Sequence, residues 1–220
     1  MAKIFPKELP SEIRLDPKRK AEVQIFDLLF AAKLPKDTNI YYSAAWLNRD
    51  IRSPRWDGEC DFVIIDKDFG AIFIEVKGGK IRKEGFSWYQ NEHKLNKSPL
   101  MQAKDSTYQI TENFKKKWQK DYPNERIPSF NYGWFAFFPH SSKNINSEIS
   151  MAEDIQQIGF YEDLENIRKK IYKFFTYKPS DSVGRKDELG LQGQSIFHDV
   201  IVGKNLDFSL ALDKQLKSNS

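Results

Sequence analysis

Apolar and polar positions recur along the chain with two periods, and the switches between them mark the elements. Residues 1–15 keep neither period and read as an irregular lead-in. Asp16-Pro17 then offers an N-cap and a first helical residue, since Asp can accept from an orphan amide and Pro has none to satisfy. The helix predicted from there to about Lys33 puts Phe26, Leu29 and Phe30 on one stripe, with Glu22 at its head. NIYYSAAWL (39–47) predicts a strand, and NRDIRSPRWDG a polar loop. GECDFVIID and FGAIFIEVK predict two strands joined by the turn DKDFG. KIRKEGFSWYQNEHKLNK reads as one short strand with loops. Ser98-Pro99 opens a second helix, lined by Ala103, Thr107, Ile110, Phe114 and Trp118 and closed by Tyr122-Pro123.

FNYGWFAFFP (130–139) is apolar nearly throughout, the mark of a strand buried on both faces, and IQQIGFY (155–161) reads as another. DLENIRKKIYKFF repeats apolar residues at Leu164, Ile167, Ile171 and Phe174, a helical spacing. Lys178 to about Gly193 turns to Ser, Gly and charge and reads as a linker; SIFHDVIVGKNLDFSLALDKQL then predicts a short helical tail. The order of elements predicts an α/β fold, a mixed central β-sheet flanked by helices. Residues 1–177 form the expected domain, and 178–220 the linker and tail.

Composition narrows the classes. The chain has 220 residues, 40% of them hydrophobic and 14% aromatic, enough for a packed core. The single Cys excludes an internal disulfide framework and suggests a reducing compartment, hence a cytoplasmic location. No apolar run is long enough to span a bilayer, and MAKIFPKELP lacks the apolar core of a signal peptide. The net charge of +4 permits a nucleic-acid partner without requiring one. His93, His140 and His198 lack the spacing of a zinc site.

The apolar hairpin nonetheless carries Asp61, Glu75 and Lys77. A turn centred on residue 68 pairs residue 61 with residue 75, which brings the two carboxylates to within roughly 4.5–5.5 Å at Cβ. Lys77 lies two residues beyond Glu75 and so on the same face. Two buried carboxylates this close repel unless a cation intervenes. A hard divalent ion, Mg²⁺ or Mn²⁺, meets that need, and Lys77 can then orient or deprotonate an attacking water.

This D-(x13)-E-V-K pattern resembles the PD-(D/E)XK nuclease superfamily. G-E-C-D-F-V-I-I-D, F-G-A-I-F-I-E-V-K-G-G and N-K-S-P-L-M-Q-A together resemble the nuclease-related domain family, from about Lys20 to Tyr177. The resemblance implies a restriction-endonuclease-like core and a metal-dependent deoxyribonuclease. It implies metal ligands at Asp61 and Glu75, with the Val76 carbonyl as a further one, a catalytic lysine at Lys77, a helix acid at Glu22 and a polar residue at Gln102. It also implies DNA as the substrate and a helicase or other DNA-processing partner. Glu59 shares in the resemblance and receives no role. Lys115, Lys116 and Lys117 read either as a solvated helix face or as phosphate contacts. Cys60, Tyr41, Tyr42 and Trp46 read as core. A non-catalytic binding or regulatory module with the same fold, and an RNA-processing enzyme, stay open at this point.

Overall fold

A computed structural model describes residues 1–47, 57–143, 155–177 and 187–203. The polar loop after residue 47 lies outside them almost entirely, as do residues 178–186 of the expected linker and the tail beyond residue 203.

The centre is a six-stranded sheet in the order β1 (Lys3–Phe5), β2 (Thr38–Leu47), β3 (Asp57–Asp66), β4 (Gly70–Val76), β8 (Tyr132–Phe138) and β9 (Ile158–Phe160). The β2–β3 and β3–β4 pairs are antiparallel; β1–β2, β4–β8 and β8–β9 are parallel. The expected α/β class and mixed sheet are the ones observed. Helices cover both faces. On one face, α2 (Lys20–Ala31) and α4 (Ile167–Thr176) bury Ile25, Phe26, Ile171 and Phe174 against Phe62, Ile64, Ile72 and Ile74. On the other, α3 (Pro99–Asp121) and α5 (residues 190–203) bury Phe114, Trp118, Phe197 and Val200 against Val63, Ile65 and Phe73. Even and odd positions of β3 and β4 thus feed different cores, which is the period of two at work.

Several local expectations need correction. The lead-in is not irregular, because β1 adds to the edge of β2 and is followed by α1 (Ser11–Leu15). Asp16 does accept from the Lys18 amide, but it caps a single 3₁₀ turn, and α2 follows and ends at Ala31. Phe30 is exposed and Ile25 takes its place on the buried stripe. The segment after β4 forms a small sheet, β5 (Ile81–Glu84), β6 (Ser87–Gln90) and β7 (His93–Lys94), rather than one strand. Helix α5 begins at residue 190, inside the stretch read as linker, and it inserts Ile196, Phe197, Val200 and Ile201 into the core. Ser98 caps α3 as predicted, its hydroxyl accepting from the Met101 amide.

Two features position the site. Gly70 takes φ +98°, and any side chain there would strike the Asn131 carbonyl, so the three-residue turn closes with no slip in register. Asp66 stabilises the turn by accepting from the Asp68 and Phe69 amides. Helix α3 starts near the end of β4 and runs away from it: Leu100 packs with Ile81 and Phe138, whereas Trp118 packs with Phe130.

Candidate active site

The predicted register holds. Phe62 pairs with Ile74 and Asp66 with Gly70, so Asp61 and Glu75 come next along their strands, just past the last ladder pair. There the strands part. Asp61 Oδ2 bridges the gap by accepting from the Val76 amide at 2.7 Å. The alternation of β3 slips at this point, since Phe62 enters the core under α2 and Cys60 the core under α3, while Asp61 approaches Glu22 of α2. Opposite, Ser43 takes φ +54° and drops out of the β2–β3 ladder. The pairing opposite Asp61 is interrupted there, although the register is the same on both sides of the break.

Glu22 sits in the first turn of α2, 2.7 Å from the Tyr42 hydroxyl, which donates to it. Arg19 Nη1 donates to the Tyr42 oxygen at 2.9 Å and to Glu22 at 3.3 Å, and lies 3.5 Å from Glu59 Oε1. Carboxylate oxygens of Glu22, Glu59 and Asp61 all lie within 4.8 Å of one another. Lys77 Nζ donates to Glu75 Oε1 at 2.6 Å. Gly78 lets the chain after β4 press against α2, since a Cβ there would lie 2.9 Å from that of Ala21. His140 pins the same loop: its Nδ1 accepts from the Gly79 amide at 3.0 Å and its Nε2 meets Gln24 Oε1 of α2 at 3.1 Å.

The electrostatics follow from burial. Burial raises the pKa of Asp61 well above the usual carboxylate range, and the charges of Glu75 and Glu22 push it the same way. Glu75 is also raised, by burial first, with Lys77 opposing. Burial raises Glu22 too, against the pull of Tyr42 and Arg19. Burial works against the ammonium of Lys77, yet Glu75 and Asp61 outweigh it and hold its pKa above the ordinary value. The cluster therefore holds more negative charge than its own cations balance comfortably. All donors are oxygens, as hard divalent cations require.

The structure thus brings together Glu22, Asp61, Glu75 and Lys77. Gln102 lies in the first turn of α3, where its side-chain amide donates to the Lys97 carbonyl at 3.1 Å. Four residues on, Ser106 Oγ donates to the Glu59 carbonyl, so this stripe of α3 faces the end of β3 that carries the acids. Lys115, Lys116 and Lys117 sit about 20 Å further along the helix. Lys115 pairs with Glu112 at 2.6 Å, and Lys117 with Asp121 and, at 3.6 Å, with Asp199. Cys60 is buried, as expected.

Three residues escaped the sequence reading. Glu59 and Asp61 are two apart on one strand, a spacing that already places them on one face. Tyr42 reads as core by its type, and its ring is buried, but its hydroxyl serves Glu22. Arg19 lies three residues before Glu22, the separation of an ion pair on one helical turn.

A family model for the nuclease-related domain matches residues 18–131, just over half of the 220. That span contains Glu22, Glu59, Asp61, Glu75, Lys77 and Gln102 and stops short of Tyr177. No curated protein and no solved structure matches the chain.

Proposed function

This chain belongs to the nuclease-related domain family, and from that premise we propose that it is a divalent-metal-dependent nuclease that hydrolyses phosphodiester bonds of DNA. The observation that carries the reading is the convergence of Glu22, Glu59 and Asp61 beside the Glu75–Lys77 pair. Asp61 and Glu75, with the Val76 carbonyl, would hold Mg²⁺ or Mn²⁺, and Glu22 and Glu59 would hold or tune a second ion. Bound there, the ion would polarise the scissile phosphate and lower the pKa of a coordinated water.

The chain's own residues supply the rest. Lys77, kept protonated by its carboxylate neighbours, donates a hydrogen bond to the attacking water or to a phosphate oxygen and offsets charge that builds up there. Tyr42 and Arg19 fix the direction of the Glu22 carboxylate. The Val76 amide fixes Asp61. Gln102, in the first turn of α3, would add a polar contact from that side. Lys115 and Lys116, exposed and remote from the acids, would contact backbone phosphates away from the cleaved bond. Among the described residues no helix is long and apolar enough to cross a membrane. A helicase or other DNA-processing protein is the partner proposed to deliver the strand.

Purified protein incubated with end-labelled linear DNA and with covalently closed circles, in Mg²⁺, Mn²⁺ or EDTA, tests the reading. Metal-dependent cleavage supports it, and loss of closed circles marks endonuclease action. Intact DNA in both metals would leave a binding module.

A further inference from the structure

At the β9 edge, two strands beyond β4, lies a cavity of about 600 Å³ outside the span of the family match. Its size falls within the roughly 300–1,000 Å³ typical of small-molecule sites. Lys143, Lys170 and Lys173 line it, together with Glu162 and Asp163. Both acids already have structural duties. Glu162 accepts from the Ser142 hydroxyl and the Lys143 amide, and Asp163 accepts from the Phe160 amide at 3.0 Å. Lys170 is 8% exposed, and its Nζ lies 3.5 Å from Asp163 Oδ2 and 5.0 Å from the Phe174 ring. One long ion pair leaves donors of this three-donor ammonium available on the cavity wall for an anion. Burial accordingly presses its pKa down, and Lys143 and Lys173 add to the push. Among the described residues, those two make no ion pair. The wall between them is apolar, from Ile155, Ile158 and Phe160.

We propose that this cavity binds the phosphate monoester of a nucleotide, with Lys170 as the buried anchor, Lys143 and Lys173 at the rim, and the apolar wall against the base. Lysines serve phosphate as point charges with several donors. The volume exceeds what a lone phosphate would fill, which leaves room for a base against the apolar wall. Two sources share this chemistry: a free mononucleotide, and the 5′-phosphorylated end of a strand. The site is independent of the acid cluster.

The test is calorimetric titration of the full chain in EDTA, where the acid cluster holds no divalent ion, so that binding and cleavage stay separate. The probes are AMP, adenosine, and a short oligonucleotide with or without a 5′-phosphate. Binding of AMP at least tenfold tighter than adenosine supports a free nucleotide. A tenfold preference for the phosphorylated oligonucleotide supports a strand end. Lys170→Met should weaken either by tenfold or more, and Lys36→Ala, an exposed charge elsewhere, should not. If Lys170→Met fails to fold, the double variant Lys143→Ala/Lys173→Ala, at two exposed positions, carries the same expectation. Absence of binding by either phosphate ligand at millimolar concentration, equal binding of the forms lacking phosphate, or binding untouched by the lysine variants would overturn the proposal.

Discussion

Asp61→Asn should stabilise the metal-free protein and abolish its stabilisation by metal. Asparagine keeps the shape of aspartate, and its side-chain oxygen can still accept from the Val76 amide, now made by Asp61 Oδ2 at 2.7 Å. What disappears is a buried charge facing Glu75 and Glu22. Keeping such a carboxyl ionised at neutral pH costs about 1.4 kcal/mol for each tenfold displacement of its protonation equilibrium. The variant should therefore be the more stable of the two in EDTA. The wild type, by contrast, should gain about 2.7 kcal/mol at a hundredfold excess of Mg²⁺ over its Kd. For a chain of this length, about 2–4 °C per kcal/mol converts that gain to roughly 5–11 °C in Tm. Differential scanning calorimetry in EDTA and across a Mg²⁺ series reads both effects. An equal metal-induced shift in the variant would place the ion elsewhere. A lower Tm in EDTA would mean that the Asp61 charge is already well compensated by Lys77.

Other outcomes follow from the same geometry. Because folding raises the pKa of Asp61, the native state binds more protons than the unfolded one, so in EDTA stability should fall as pH rises from the ordinary carboxylate range, about 4, through the raised value; saturating Mg²⁺ should remove this fall in a Tm–pH profile, and a profile unchanged by metal would refute it. Glu59→Gln should raise the Mg²⁺ concentration for half-maximal Tm shift by about tenfold or more, on the scale of altered metal surroundings, whereas a mere surface partner of Arg19 would leave that midpoint alone. Phe197→Ala should cost about 3–5 kcal/mol in urea unfolding, because Phe197 is fully buried and stacks on Phe114 at 4.4 Å; a cost below about 1 kcal/mol would show that α5 is not part of the core.

The parts of this architecture legible in the sequence were those fixed by local chemistry. DKDFG announced its turn, and with it the register that carries Asp61 and Glu75 to the same end of the hairpin, because a three-residue connection with Gly70 permits one register. Ser98-Pro99 announced α3 through its cap. The parts that stayed hidden depend on distant partners. The β1 strand exists because the edge of β2 offers it a ladder, and no alternation in three residues reveals that. Helix α5 was expected as a tail from Ser195 on, but Gly and charge disguise its start at residue 190, and the place of Ile196 and Phe197 in the core is set only by Phe73 and Phe114. Tyr42 is apolar in its ring and polar at its tip, so residue type favours core until α2 sets Glu22 against its hydroxyl. The slip in alternation at Asp61 lies opposite the break at Ser43 of the paired strand and leaves no periodic trace in β3 itself.

Cleavage by Lys77→Met bears most directly on the central claim. Methionine retains most of the lysine stem and removes the ammonium that meets Glu75 at 2.6 Å. With metal-dependent cleavage of end-labelled DNA as the readout, the rate should fall by roughly 10²-fold or more, the scale of a positioned proton donor or acceptor. Circular dichroism should be unchanged, and the Mg²⁺-induced rise in Tm should persist through Asp61 and Glu75. Cleavage at the wild-type rate, with folding and metal binding intact, would contradict the assignment of Lys77 to the reaction.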